Sequence, residues 1–110
     1  MKMIRSIVRS ELVYDVMNAL MEAQFYSMTK FSVFGRGKQR GMKVGSVSYD
    51  EIPKEMIMMV VDDKDVNSVI AVVTKAARTG DSGHPGDGKI FVTPVDSEIT
   101  ISNGAIKTSK

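Results

Sequence analysis

TGDSGHPGDGKIFV, Thr79 to Val92, is the stretch on which the fold turns. Its centre, GHPGDGK from Gly83 to Lys89, satisfies G-x-x-x-x-G-K, the front of a phosphate-binding P-loop. A P-loop also needs Ser or Thr after the lysine to hold magnesium, a strand before the loop, and a helix whose N-terminus receives the phosphates. Here Ile90 follows Lys89, the apolar, β-branched run IFV that comes next is a strand, and a helical pattern precedes the loop. The P-loop reading fails on all three counts. What remains is glycine-rich backbone able to form a nest of N–H groups around an anion, with Lys89 as a point charge. On these residues alone, a flexible solvent loop is the plainer reading.

Working outward, Val66, Val69, Ile70, Val73 and Ala77 recur at helical spacing, with Asp62, Asp63 and Asp65 at the helix start complementing its dipole. Arg78 and Gly80 stand where that helix ends, Gly80 as a C′ residue. Upstream, Glu55 to Val61 (EMIMMVV) is a continuous apolar run after Pro53 that suits a central strand. Met3 to Arg9, rich in Ile and Val, is read as the first strand. Ser10 is placed as an N-cap, followed by a helix to about Ala23 on Leu12, Val13, Val16, Met17 and Leu20. Met28 to Phe34 is a second strand, Lys89 to Val92 a fourth stopped by Pro94, and Ile99 to Ile101 a last short one. The tail from Asn103 is polar and expected to fray. The order strand–helix–strand–strand–helix–strand predicts an α+β, ferredoxin-like βαββαβ arrangement, with two helices on one face of an antiparallel sheet.

Length and composition bound the rest. At 110 residues the chain is expected to form a single domain over 1–110 that buries roughly two thirds of its unfolded surface. The absence of cysteine excludes a disulfide framework and any thiolate metal site. The first residues lack the apolar core of a signal peptide, and the run Met56 to Val61 is too short to cross a bilayer, so a cytoplasmic location is expected. Net charge of +2 makes no case for nucleic acid, although Arg36, Lys38, Arg40 and Lys43 cluster without an acid among them.

Eight of the nine glycines fall in two connections, Gly35 to Gly45 and Gly80 to Gly88, where this fold needs only short turns. The connection from Phe34 to Ile52 is long, polar and without hydrophobic periodicity, which marks it as functional or mobile. The lone His84 lies in the glycine- and proline-rich loop, is expected to be exposed, and makes a poor metal site even beside Asp81 and Asp87. One histidine and loop aspartates define no catalytic geometry, so an enzyme is not expected. An RNA platform would need two aromatics on the fourth strand and one on the first; KIFV has one and IRSIV none.

AARTG before the loop, GDGKIFV after it, FGRGKQRG at the start of the long connection and IPK at its end together resemble the PII nitrogen-regulatory signalling family over about residues 1–102. The FGRGKQRG segment looks closest to PII paralogues associated with nitrogenase in archaea and anaerobes. The resemblance implies a homotrimer, or a hetero-oligomer with a sister PII paralogue, carrying a nucleotide in each cleft between subunits. Residues 35–53 would be the T-loop that reaches into a partner, nitrogenase by this likeness, 79–89 the phosphate-wrapping B-loop, and 95–110 a C-terminal segment. ATP and ADP (or AMP) would compete for the cleft, and ATP with Mg2+ would admit 2-oxoglutarate. No nucleic-acid partner and no membrane segment are expected.

By the same resemblance, Thr79, Gly86, Asp87, Gly88 and Lys89 would face phosphates, and Ile7, Thr29, Gly35 and Val60 would line the adenine pocket. Lys38 would touch both ligands. Gln39 would ligate magnesium through ATP and face 2-oxoglutarate, whose carboxylates would meet Gly37, Lys38, Gly41 and Lys54. Such a small dianion needs a metal, amides and a cation, and a glycine loop can wrap it. Three departures stand out. The T-loop is shorter than usual, which makes Tyr49, beside its return to the sheet, a weak candidate for nucleotide modification. The B-loop is longer than usual, with DSGHP, Asp81 to Pro85, in place of a short link. Two family arginines of the last strand are replaced by Thr100 and Ser102, so Arg36 or Arg78 would have to compensate, or a smaller nucleotide would be preferred, or the chain would be a scaffold whose sister subunit senses.

Overall fold

The computed structural model describes residues 1–36, 43–44, 47–48 and 51–109, the four of 43–44 and 47–48 as backbone only. Its centre is β1 (Lys2–Arg9), in which Ile4, Ser6 and Val8 are buried while Met3, Arg5, Ile7 and Arg9 alternate to the opposite face. On one side β1 pairs antiparallel with β5 (Glu51–Val61), from Lys2 opposite Val61 to Arg9 opposite Lys54. On the other it pairs antiparallel with β6 (Gly88–Pro94), from Lys2 opposite Pro94 to Val8 opposite Gly88. β2 (Thr29–Arg36) closes the far edge against β5, giving the order β2-β5-β1-β6. Helices α1 (Val13–Glu22) and α2 (Val66–Ala77) lie on one face. Val13, Val16 and Leu20 of α1 and Val69, Val73 and Ala77 of α2 repeat at helical spacing and pack against Ile4, Val8, Ile57, Met59 and Val61. Each fully buried branched side chain in that set contributes about 1.5–3 kcal/mol. This is the α+β, ferredoxin-like fold that the pattern predicts.

The face away from the helices is also largely apolar. Ile7 pairs with Met56, which pairs with Phe31; Arg5 pairs with Met58 on one side and with Phe91 on the other. Phe31 and Phe91 remain 38% and 49% exposed, too much apolar surface to be ordinary for one side of a sheet facing water.

The ends of elements differ from expectation for local reasons. Ser10 caps nothing: it opens a 3-10 turn, Ser10–Leu12, and α1 starts three residues later without a side-chain cap. The chain leaves the central strand fully extended at Arg9 and needs this tight turn to set the helix back over the sheet. At the other end, Gln24 adopts the left-handed conformation (φ 72°) with no glycine in sight. The Gln24 N–H donates to Met21 O and the Phe25 N–H to Leu20 O, a Schellman closure secured by Phe25 packing on the core. Helix α2 ends with Arg78 extended, so Gly80 (φ 67°) lies beyond the C′ position and belongs to the loop. Pro53 lies inside β5, beyond the end of its pairing with β1 and opposite Phe34 of β2.

The connection expected to lack structure is partly a ribbon. β2 and β5 pair as far as Arg36 opposite Glu51, and β3 (Lys43–Val44) pairs with β4 (Val47–Ser48). Such pairing needs no hydrophobic period, because cross-strand backbone hydrogen bonds carry it.

The tail is not frayed, and Ile99 to Ile101 is not a strand of the main sheet. β7 (Ser97–Ile99) and β8 (Ile106–Thr108) form a separate hairpin whose turn holds Thr100 and Ser102. Two of the three acids placed at the start of α2, Asp62 and Asp63, anchor this hairpin and the N-terminus, while Asp65 stands at the N-cap. Asp62 accepts from Lys107 at 2.9 Å, and Asp63 pairs with the Met1 ammonium at 3.0 Å and Lys2 at 3.3 Å. Hydrogen bonds from these partners hold both carboxyls below the ordinary aspartate value of 3.8. A depressed carboxylate contributes its stability above the unfolded pKa and loses it as pH falls through the folded one. Protection against amide exchange in Ser97–Thr108 and at Lys2, taken relative to the intrinsic rate at each pH, should therefore fall below about pH 4 before that of the helices does; simultaneous opening of hairpin and core would refute this anchoring role.

Candidate functional site

The loop after α2 is built around one carboxylate. Asp87 Oδ1 accepts from the Thr79 hydroxyl at 2.6 Å and from Arg9 Nε at 3.0 Å, while Oδ2 accepts from the Thr79 N–H at 3.0 Å and the His84 N–H at 2.9 Å. These donors, the Thr79 hydroxyl foremost and then the His84 and Thr79 amides, hold the Asp87 carboxyl far below the ordinary carboxylate range. The Asp87 N–H returns to His84 O at 3.1 Å and closes the turn. The His84 ring is exposed, as expected, but its Nδ1 lies 2.9 Å from Thr79 Oγ1 and 3.0 Å from Thr79 O. Because the hydroxyl proton goes to Asp87, the imidazole proton belongs on Nδ1, donated to the Thr79 carbonyl. Gly80 itself has φ 67°, which disfavours a side chain there, and a Cβ would also crowd the His84 ring at 2.6 Å from Cε1.

Two cations from neighbouring strands grip the loop from below. Arg9 Nη2 donates to Pro85 O at 3.3 Å, and Lys54 Nζ donates to Gly86 O. Partial burial, then the adjacent Arg9 charge, pushes the Lys54 ammonium below the usual lysine value, with Glu11 and Asp87 opposing. Gly88 begins β6 with φ 127°, its α-carbon so close to β1 that a Cβ would fall 1.8 Å from Ile7 O.

Above these groups opens a cleft of about 340 Å³ that brings together residues expected of the nucleotide and 2-oxoglutarate sites from four separate stretches of the chain. Ile7 comes from β1, Gly35 and Lys54 from the paired ends of β2 and β5, and Gly86, Gly88 and Lys89 from the loop and β6. Arg36, Ile52, Pro85 and Phe91 complete its wall. The mixture of cations and apolar side chains suits an anion with a flat apolar body.

Other expected residues are placed elsewhere. Thr79 and Asp87 spend their side chains on shaping the loop. Thr29 and Val60 line a different hollow, of about 830 Å³, with Tyr26, Asp62 and Lys107. Thr29 and Gly35 are six residues apart along β2, which amounts to about 20 Å. One copy of the chain therefore does not bring the two groups together. Arg78 lines neither of these spaces; it borders a third, of about 310 Å³, between α2 and β6. Gly37, Lys38, Gln39, Gly41 and Tyr49 lie outside the described residues. Arg9 escaped the sequence reading, since its partners are 76 and 78 residues away and only the strand register makes them neighbours. Among the described residues no helix is long and apolar enough to cross a membrane.

Comparison with known proteins identifies the family. A family model described as Nitrogen regulatory protein P-II matches residues 1–105. The chain is 51% identical over 104 residues to the nitrogen fixation nifHD2 region GlnB-like protein 1 of Methanosarcina barkeri, covering 94% of this chain and 96% of that one. It is 48% identical over 101 residues to the nifHD region GlnB-like protein 1 of Methanococcus maripaludis, covering 92% and 93%. Against the nitrogen regulatory protein P-II 2 of Methanothermobacter thermautotrophicus the identity is 41% over 108 residues, covering 94% and 91%. A ferredoxin-like sheet with a glycine loop closed on Asp87, matched over nearly its whole length, belongs to the P-II family of nitrogen regulatory proteins.

Proposed function

We propose that this P-II protein senses adenine nucleotide and 2-oxoglutarate in clefts between the subunits of a trimer and passes the result to a target through residues 35–53. One observation carries the reading: Ile7, Gly35, Lys54, Gly86, Gly88 and Lys89 converge on a single cleft, although they come from four stretches of the chain. Thr29 and Val60, displaced to the far end of the sheet, would reach a nucleotide only from a neighbouring copy. The apolar open face around Phe31, Met56 and Phe91 gives such copies a surface to bury. The nucleotide's phosphates would lie on Gly86–Lys89, with magnesium held through Gln39, and Lys54 would receive a carboxylate of 2-oxoglutarate. Signalling is then a shift in loop population by ligands of unequal affinity for its states. The nif-region names of the relatives make nitrogenase, or a protein encoded beside it, the target to test first.

A second reading, a scaffold subunit of a hetero-oligomer with weak nucleotide sites, is favoured by one feature. Thr100 and Ser102 stand in the turn of the β7–β8 hairpin, and that hairpin's Lys107 is already paired with Asp62. Calorimetry separates the two. Under the sensor reading, the protein binds ATP–Mg2+, 2-oxoglutarate binds only in its presence, and Gln39→Ala abolishes 2-oxoglutarate binding while sparing ADP. Absence of all binding at millimolar ligand would select the scaffold, and normal 2-oxoglutarate binding by Gln39→Ala would remove that residue's role.

A further inference from the structure

Arg9 ends β1 and is paired in register with Lys54 on one side, one residue beyond the Val8–Gly88 pair on the other. From there its guanidinium makes two contacts on the loop at once, Nε to Asp87 Oδ1 at 3.0 Å and Nη2 to Pro85 O at 3.3 Å. Its side chain and that of Asp87 are only 26% and 18% exposed, so water screens the pair less than an ordinary surface ion pair. The guanidinium also fills the space beneath Gly86, where a Cβ would meet Nη2 at 3.3 Å. Through Asp87 the same group is linked to the Thr79 amide and hydroxyl and to the His84 amide. One rigid fork on a central strand thus sets the geometry of both arms of the loop.

We propose that Arg9 is a positioning residue for the anion-binding loop, holding Thr79–Asp87 in its receptive shape through Asp87 and the Pro85 carbonyl without touching the ligand. The inference rests on the reading of that loop as a phosphate site. Lysine cannot substitute, because a single ammonium on a flexible stem does not reproduce the two fixed N–H directions of the fork. The long link Asp81–Pro85 gives such a clamp a purpose, since a longer loop has more conformations to suppress.

The test uses the full chain as wild type, Arg9→Lys, Arg9→Gln, Asp87→Asn and the Arg9→Gln/Asp87→Asn double variant. Two quantities are measured: amide hydrogen exchange of residues 79–88 without ligand, and ADP affinity by calorimetry. Arg9→Lys and Arg9→Gln should each speed loop exchange and weaken ADP by about tenfold, the scale of one charge-assisted hydrogen bond. Exchange at Val69 and Val73 in the core should stay unchanged, and the double variant should be less impaired than the two single effects combined. Full recovery of both quantities in Arg9→Lys, or loop exchange unaltered in Arg9→Gln, would overturn the proposal. If the wild-type chain binds no ADP, the phosphate reading fails, while the exchange measurement still decides whether Arg9 shapes the loop.

Discussion

Gly88→Ala should lower the melting temperature by about 15–20 °C, the largest effect expected of any single methyl added to this protein. The new Cβ would fall 1.8 Å from Ile7 O and 2.9 Å from Ile7 C, and both are backbone atoms of a central strand. No side-chain rotation relieves such a clash. Relief requires β6 to withdraw from β1 at the Val8–Gly88 pair, where the glycine loop enters the sheet. The backbone at φ 127° adds strain for any residue with a Cβ, about 1–3 kcal/mol by itself. Overlap and strain together place the cost at about 4 kcal/mol, in the range that marks a named structural failure rather than an ordinary surface change. Gly104→Ala is the control: it also has positive φ, 69°, but nothing lies within 4 Å, so only about 1 kcal/mol is expected. Scanning calorimetry on the two variants checks the contrast. Equal melting temperatures would show that β6 does not lie against β1 as described.

Lys54→Met should weaken 2-oxoglutarate by about 30-fold or more in the presence of ATP–Mg2+, while moving the melting temperature by no more than about 3 °C. The substitution keeps most of the stem that packs over Gly35, whose Cβ position is 3.3 Å from Lys54 Cγ, and removes only the ammonium. That ammonium is the cation at the point where the T-loop's return strand meets the loop's Gly86 carbonyl. Its lowered pKa adds a signature. Burial and the Arg9 charge disfavour the protonated form, so a bound carboxylate should draw the proton back. Affinity should then fall as pH rises through the lowered Lys54 value, in a window starting below the ordinary 10.5. Calorimetry across alkaline pH, with Lys54→Arg retaining charge throughout, reads this directly. A wild-type profile identical to that of Lys54→Met would remove Lys54 from the site.

Much of the fold was legible because its signals are local. Val13, Val16 and Leu20, and likewise Val69, Val73 and Ala77, announce helices by spacing alone, and the core they form is the one observed. The run after Pro53 declared a strand by composition, and IFV after Lys89 ruled out a P-loop without any structure. Element ends were less legible, since they depend on geometry outside the window. Ser10 has the chemistry of a cap but not the position of one, and Gln24 closes α1 by a backbone motif usually announced by glycine. The last strand was misplaced because Asn103–Thr108 has no apolar period. It is held by Lys107 on Asp62 and by the Met1 ammonium on Ser109 Oγ, partners 45 and 108 residues away.

The candidate site divides along the same line. Family membership, the glycine loop and Lys54 and Lys89 as candidate cations beside it are legible in the residue string, because a motif is a pattern of neighbours along the chain. That Asp87 serves its own loop, that Arg9 belongs with it, and that Thr29 and Val60 lie about 20 Å or more from Gly35 are decided by the lengths and register of the strands. Pairing β1 between β5 and β6 brings residues 9, 54 and 87 together across the whole length of the sequence, and no property of any one segment encodes that meeting.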